Sequence, residues 1–278
     1  MSQVGSSRGD TIRIAIAGAS GRMGRQLIAG VLAHDRYTLV GVSDRAESDF
    51  LGCDVGTLCG TPPQGVVVSD DLAQVLRSAD VLIDFTRPEA TVAHVAACVT
   101  HQVAAVIGTT GLSEADITTL KQCAERTPLV WAPNMSVGVN ITFRLIELAA
   151  KALGEEYDIE IVEAHHRYKV DAPSGTALKM GEVAAIASGR DFKSAAVLSR
   201  EGITGERRKG SIGFATVRGG DVAGEHSVLY LGEGEQIEIT HKSRDRRHFV
   251  HGALRASAWV MNRKPGFYGM EHVLDMAH

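Results

Sequence analysis

The 278-residue sequence has no long hydrophobic run, no CxxC pair and no extended basic segment. No stretch approaches the roughly 20 consecutive apolar residues of a membrane-spanning helix, and the first ten residues lack the apolar centre of a signal peptide. These absences favour a cytoplasmic protein. We assign no role to the scattered cysteines, Cys53, Cys59, Cys98 and Cys123.

Charge excludes a further class of partner. The formal net charge of -4 provides no general attraction to nucleic acid, and the one basic cluster, residues 207–209, is short and typical of a solvated surface loop. Hydrophobic residues make up 44% and charged residues 22% of the chain, which is typical of a folded protein. At this length we expect two domains and a small-molecule substrate, with no nucleic-acid or membrane partner.

Strand-like and helical patterns alternate over residues 1–135. Predicted strands lie at residues 12–17, 37–42, 66–68, 81–85, 103–107 and 129–131. Predicted helices lie at residues 23–33 and 89–100, and two more are expected after Ser69 and Ser113, which we interpret as helix caps. This alternation predicts an α/β domain with a Rossmann-like parallel sheet.

The pattern changes over residues 136–245. A helix at residues 137–153 and a strand at 158–163 precede closely spaced strand-like runs at 211–217, 226–231 and 236–240. They predict a second, α+β domain with a mixed, mostly antiparallel sheet. An amphipathic helix at 249–261 has the apolar content to pack on the first domain, so we expect residues 246–278 to return to it.

A glycine-rich turn, residues 18–24, follows the first predicted strand and opens the first helix. Its GxxGxxG spacing is one residue looser than the commonest dinucleotide fingerprint. Asp44 ends the second strand about 20 residues later, where such domains place the residue that binds the ribose. This context predicts that the helix N-terminus holds the pyrophosphate of a nicotinamide dinucleotide.

The choice between NADH and NADPH stays open. Asp44 favours the ribose diol of NAD, whereas Arg45 and Arg22 suit the 2′-phosphate of NADP. Other strand ends, at residues 85–86, 108–111 and 132–135, are expected to face the same crevice. Asn134 could bond the nicotinamide carboxamide, although an Asn after Pro also favours a simple turn.

Reactive groups are densest in residues 163–176. His165 and His166 leave a strand end close to Lys169, which suits proton donation near pH 7 and stabilisation of an anion. The helix that begins near Ser174 offers a second anion site, suited to a carboxylate. One histidine could instead be structural, Ser174 only a cap and Lys169 only a surface residue. Together with the dinucleotide turn, the cluster indicates reduction of an acidic small molecule.

Residues 163–177 resemble the signature E-x-H-H-x-x-K-x-D-A-P-S-G-T-A of the 4-hydroxy-tetrahydrodipicolinate (dihydrodipicolinate) reductase family. Residues 18–24, 83–88, 108–111 and 134–140 match the family in the same order, so the resemblance spans nearly the whole chain. It implies hydride transfer from NADPH or NADH to 4-hydroxy-tetrahydrodipicolinate, in lysine and diaminopimelate biosynthesis. It also implies a homotetramer joined through the sheet of the second domain.

The resemblance implies a role for individual residues. His165 becomes the general acid/base, Lys169 a second proton donor, and His166 with the backbone of Gly175 and Thr176 binds the substrate carboxylates. The implied cofactor-binding residues are Gly18, Ala19, Ser20, Gly21, Arg22, Met23, Asp44, Arg45, Gly108, Thr109, Thr110, Ala132, Pro133, Asn134 and Met135. Met135 departs from the family, in which an aromatic residue is common. No metal is implied, and Arg246 is left between substrate and partner-domain roles.

Three other functions share part of this pattern. A non-catalytic dinucleotide sensor needs the glycine turn but not the histidine and lysine cluster. A metal hydrolase lacks support from HxH or HExxH spacing. It would be built on Glu163, His165, His166 and one of His226, His241, His248 or His251. Another NAD(P)-dependent oxidoreductase of similar build, such as an aspartate dehydrogenase, remains the closest alternative, against which the helix start at residues 171–176 favours a ring dicarboxylate.

Overall fold

The structure, a computed structural model, describes residues 11–277. Its contacts divide the described residues into two compact units, one containing residues 11–135 and 247–277 and the other containing residues 136–246. Each unit is built around its own sheet. No helix in the described range is long and apolar enough to cross a membrane.

Residues 11–277 form twelve strands and ten helices. The strands are β1 (Ile12–Ala17), β2 (Tyr37–Ser43), β3 (Val68–Ser69), β4 (Val81–Asp84), β5 (Ala104–Ile107), β6 (Pro128–Trp131), β7 (Asp158–His165), β8 (Ala196–Val197), β9 (Ile212–Arg218), β10 (Gly224–Leu231), β11 (Gln236–Ser243) and β12 (Gly266–Tyr268). The helices are α1 (Arg22–Leu32), α2 (Val55–Cys59), α3 (Leu72–Leu76), α4 (Pro88–His101), α5 (Glu114–Ala124), α6 (Val137–Leu153), α7 (Gly175–Ala187), α8 (Phe192–Ala195), α9 (Arg247–Val260) and α10 (Met270–Val273).

The sheet of the first unit has seven strands in the order β12-β6-β5-β4-β1-β2-β3, and every pairing is parallel. Its central strands are nearly continuous apolar runs because both faces are covered: Ile14, Ile16, Leu82 and Ile107 are fully buried. The predicted Rossmann-like domain is confirmed. Its parallel strands bring their carboxyl ends to one edge, where such domains bind ligands.

Helix α9 belongs to this first unit. Gly30 on α1 lets Val250 approach closely, because a Cβ there would lie 2.4 Å from Val250 Cγ1. The Tyr37 hydroxyl donates to the carbonyl of Leu254 over 2.8 Å. Helix α9 therefore packs on α1 and on strands β4, β5 and β6.

The sheet of the second unit has the order β11-β10-β7-β9-β8. The β11-β10 and β10-β7 pairings are antiparallel, with eight and seven residue pairs, whereas β7-β9 and β9-β8 are parallel, with seven and two. Helices α6 and α7 supply the core, in which Tyr230 of β10 is fully buried and its hydroxyl donates to the Ile146 carbonyl. The predicted mixed sheet is confirmed.

One local prediction is wrong, and a second holds only in part. Helix α3 is capped by Asp71, whose Oδ1 accepts the Gln74 N–H over 2.9 Å, and Ser69 Oγ only accepts the N–H of Asp71. In the basic cluster at residues 207–209, Arg208 and Lys209 are exposed as predicted, whereas the Arg207 guanidinium donates to the carboxylates of Asp158 and Glu160. Both differences arise from partners that the local pattern does not identify. The capping box at Ser113 is confirmed.

Candidate active site

The glycine turn between β1 and α1 is compact. Gly18 has a φ of 77°, which favours glycine, and its N–H and that of Ala19 donate to the Ser43 carbonyl at the end of β2. Gly24 lies so close to the turn that a Cβ there would come within 2.0 Å of the Gly18 carbonyl oxygen. Only glycine therefore permits this approach of helix and turn.

The same turn leaves an anion site at the start of α1. Gly21 is the N-cap and provides no capping side chain, and the backbone N–H groups of Arg22 and Met23 have no acceptor within residues 11–277. Unpaired N–H groups at a helix N-terminus attract phosphate. This geometry fits a cofactor pyrophosphate.

Asp44 connects the turn to the end of β2. Its carboxylate accepts hydrogen bonds from the N–H groups of Ser20 and Arg45, both over 2.9 Å, and from Ser48 Oγ. Burial opposes ionisation, but these bonds outweigh it and lower the pKa of Asp44. The Ser20 side chain also bonds to this carboxylate, so the ionised group is held in a fixed position at the end of β2. The Arg45 side chain is exposed beside it.

A cavity of about 530 Å³ opens beside the turn. It brings together five of the predicted cofactor residues: Gly18, Ser20, Gly21, Asp44 and Arg45. Its wall also contains residues that were not predicted to bind the cofactor, namely Asp70, Arg87, Glu89 and His94. They follow the carboxyl ends of β3 and β4, and this position is the sequence signal that could have identified them.

The other predicted cofactor positions lie off this wall. Gly108 packs against Phe85, whose ring would be 2.2 Å from a Cβ there. Thr109 is 2% exposed and its hydroxyl joins the Asp84 network, so its side chain is structural here. Met135 is fully buried, so its side chain is part of the core. Thr110, Pro133 and Asn134 keep accessible surface.

The catalytic candidate His165 ends β7 in the second unit. Its Nδ1 lies 2.6 Å from Oε2 of Glu163, and its side chain is 12% exposed. Burial is the main influence on the pKa of His165 and lowers it, aided by the charges of Lys169 and Arg218 and opposed by Glu163. The free imidazole is therefore predominantly neutral at pH 7.

Glu163 is buried but fully partnered. Arg218 of β9 donates from Nη1 and Nη2 to its two oxygens, each over 2.8 Å, and the N–H of Ser174 donates to Oε1 over 3.1 Å. Burial acts to raise the pKa of Glu163, but the bonds from Arg218 and His165 outweigh it and lower the value. The group is a carboxylate. Sequence reasoning assigned no role to Arg218.

His226 of β10 completes the surroundings of His165. The two rings lie edge to face with centroids 5.0 Å apart, and His226 Nε2 lies 3.0 Å from Ser174 Oγ. Burial lowers the pKa of His226 to about 4, so this histidine is neutral. Sequence reasoning gave His226 only the role of a possible metal ligand. No group of His, Cys, Asp and Glu within residues 11–277 is arranged to hold a metal ion.

The remaining candidates lie between β7 and α7. Lys169 Nζ contacts both carboxylate oxygens of Asp171 over 2.8 Å. His166 has a buried Nδ1 with no partner in the described part of the chain. Ser174 caps α7, as predicted, and a Cβ on Gly175 would meet open space. A lysine, a histidine with spare bonding capacity and a helix start thus occupy one segment.

Comparison with known proteins identifies the family. The model described as "Dihydrodipicolinate reductase, N-terminus" matches residues 12–135, and "Dihydrodipicolinate reductase, C-terminus" matches residues 138–274. The chain belongs to the dihydrodipicolinate reductase family. It is 56% identical to the 4-hydroxy-tetrahydrodipicolinate reductase of Alkalilimnicola ehrlichii, over 96% of this chain and 100% of that protein. The corresponding enzyme of Thiobacillus denitrificans is 53% identical, over 96% and 99%.

A solved dihydrodipicolinate reductase has the same fold. The dipicolinate-bound enzyme of Paenisporosarcina sp. TG-14 aligns with a TM-score of 0.76 and 27% identity, covering 94% of this chain and 99% of that one. The family resemblance and the prediction of an oxidoreductase are confirmed. As a dihydrodipicolinate reductase, the chain is a Rossmann-type reductase that acts on a small molecule. The roles of individual residues remain predictions.

Proposed function

We propose that this dihydrodipicolinate reductase uses NADPH or NADH to reduce 4-hydroxy-tetrahydrodipicolinate to tetrahydrodipicolinate, in lysine and diaminopimelate biosynthesis. The observation that carries this proposal is the cluster around His165, in which a buried carboxylate holds a histidine close to Lys169 and to the start of α7. The relative from Paenisporosarcina binds dipicolinate, and this ligand supports a ring dicarboxylate as substrate here.

The first unit holds the cofactor. Unpaired N–H groups of Arg22 and Met23 bind its pyrophosphate, and Asp44 accepts a hydrogen bond from the adenosine ribose. Arg45 has an accessible guanidinium that can pair with a 2′-phosphate, so the chain accommodates both cofactors. The conjugated imine forms when the 4-hydroxyl of the substrate leaves as water, and the cofactor, when bound, supplies a hydride to a ring carbon of that imine.

His165 supplies the proton that balances this hydride. The dianionic substrate favours the charged imidazolium and raises the pKa of His165 from its lowered value in the free enzyme. Substrate binding thus couples to proton uptake. Because Nδ1 is bonded to Glu163, Nε2 donates the proton to the enamine-like anion formed on reduction. Lys169 stabilises the developing negative charge and acts as the second proton donor.

The substrate carboxylates are bound by the segment that follows β7. The unpartnered Nδ1 of His166 needs a hydrogen-bond partner, which a carboxylate provides. The backbone of Gly175 and Thr176 opens α7, where the helix dipole favours negative charge. Open space next to Gly175 accommodates the ligand.

The homotetramer is part of the same proposal. The sheet of the second unit ends in β11, an edge strand of eight residues whose Ile237 is 40% exposed. Edge strands and exposed apolar side chains favour association with another chain. Light scattering after size exclusion tests the assembly, and a monomer would contradict it.

Turnover tests the function directly. The substrate is generated in situ from pyruvate and aspartate semialdehyde by a synthase, and loss of nicotinamide absorbance is followed with NADPH and with NADH. We expect oxidation that requires both precursors. If the absorbance changes with neither NADPH nor NADH, the proposal is overturned. Oxidation with oxaloacetate and ammonia alone would also overturn it, because that result would indicate an aspartate dehydrogenase.

A further inference from the structure

The buried carboxylate of Glu163 links three separate segments of the second unit. It contacts His165 of its own strand, Arg218 of β9 and the backbone of Ser174 before α7. We propose that Glu163 and Arg218 are a positioning pair for His165, in which Glu163 fixes the tautomer and orientation of the imidazole and Arg218 holds the carboxylate in place. This inference rests on the proposed function of His165.

The tautomer follows from hydrogen-bond chemistry. A carboxylate only accepts, so a neutral imidazole bonded to it at Nδ1 carries its proton there. Nε2 is then the atom that takes up and delivers the catalytic proton. A Cβ on Gly224 would lie 3.1 Å from Nε2, so glycine at this position leaves that side of the ring uncrowded. Glu163 therefore determines which nitrogen faces the reaction.

Arg218 provides what a buried carboxylate needs. Its planar guanidinium donates to both oxygens of Glu163 and additionally to the carbonyl of Asp171 over 2.7 Å. The next residue, Gly219, donates its N–H to the His165 carbonyl. Side chain and backbone of β9 thus hold the carboxylate, the histidine and the Lys169–Asp171 segment in one arrangement. A lysine could supply the charge but not the planar fork that binds both carboxylate oxygens at once.

Other charged or titratable groups around His165 do not replace this pair. Lys169 faces it from the loop after β7 and is itself bonded to Asp171. His226 faces it from β10 and is neutral, with Nε2 next to the Ser174 hydroxyl. Neither supplies an acceptor at Nδ1, so the bond to Glu163 is the one that orients the ring.

The first test replaces Glu163 by Gln, which keeps the shape and removes the charge. We expect kcat to fall about 10- to 100-fold, a large part of what a general acid provides, with an unchanged Kd for NADPH. Glu163 acts to raise the pKa of His165, so its loss moves the alkaline limb of the kcat profile to lower pH. Glu160→Gln is the matched control, since Glu160 lies on the same strand and is likewise bound by arginine side chains, those of Arg200 and Arg207. This control should keep the wild-type kcat profile.

The outcomes separate the pair from a merely structural role. Unchanged kcat in Glu163→Gln would overturn the inference, and so would a lower kcat whose pH limb does not move. Arg218→Lys should reduce kcat while Kd for NADPH stays the same, and wild-type kcat in that variant would also contradict it. His165→Gln is measured in parallel, because normal turnover there would remove the proposed function itself.

A readout without turnover covers the case in which Glu163→Gln does not fold. Nitrogen NMR of the histidine-labelled full chain, assigned with His165→Gln, reports the tautomer of the free enzyme. We expect the neutral His165 ring to carry its proton on Nδ1. A proton on Nε2 in the wild type would overturn the inference whatever the kinetics of the variants.

Discussion

Gly24→Ala tests the glycine turn as the cofactor site. The added Cβ would lie 2.0 Å from the Gly18 carbonyl oxygen and 2.9 Å from that of Ala19, both backbone atoms that no rotamer change can move. An ordinary carbon-oxygen contact is roughly 3.3 Å, so the turn must open by roughly 1.3 Å. Overpacking of this kind costs about 1–3 kcal/mol. Because the displaced backbone holds the pyrophosphate, we expect Kd for NADPH to rise about 10- to 100-fold.

The assay is fluorescence titration of NADPH, with Gly30→Ala as the matched control. Both substitutions add the same methyl group to α1 and gain the same helix propensity, about 1 kcal/mol. At Gly30 the clash is with Val250 Cγ1, the end of a side chain on α9, so Tm falls but the turn is unaffected. Kd should therefore stay within about twofold. Equal Kd values in wild type and Gly24→Ala, or equal losses in both variants, would refute the reasoning.

Two further predictions concern single titratable groups. Asp44→Ala should raise Kd for NADH by about tenfold relative to Kd for NADPH, because a hydrogen bond to a charged group is worth about 1.5–3 kcal/mol and only the ribose of NADH depends on this one. An unchanged ratio of the two Kd values contradicts this. His226 has its pKa lowered to about 4 in the native state, so the unfolded chain binds more protons and stability is lost as pH falls from the unfolded pKa towards 4. The free energy of unfolding in urea should fall by about 2 kcal/mol more in wild type than in His226→Gln between pH 7.5 and 5, and parallel curves would contradict it.

The parallel domain could be predicted because its signals are local. Strands buried on both faces, such as β1 and β4, appear as short apolar runs separated by helical patterns. The site segment at residues 163–176 was equally visible, since its reactive groups are adjacent in sequence. The two capping predictions show the limit of this reasoning. Ser113 and Ser69 both suit an N-cap, but the helix that follows Ser69 begins after Asp71, which caps it instead.

The residues that contact Glu163 and His165 from other strands could not be predicted, because the pairing of the strands decides which residues become neighbours. Parallel pairing of β7 and β9 aligns His165 with Arg218, and antiparallel pairing of β7 and β10 aligns Glu163 with His226. Arg218 lies 55 residues from the carboxylate that it binds. Periodicity shows that each strand exists but not which strand is its neighbour. His94 is a different case, since it reaches the cavity beside the glycine turn from within α4, the helix that follows the end of β4.

The most direct test of the account is kcat of His165→Gln with the substrate generated in situ. His165 contacts Glu163 through Nδ1, and in the proposed mechanism its Nε2 delivers the proton. Glutamine keeps the polarity of the side chain and removes its titration. The account predicts a kcat lower by about 10²- to 10⁴-fold and a Kd for NADPH equal to that of the wild type. Wild-type turnover in this variant would contradict the assignment of His165 as the proton donor.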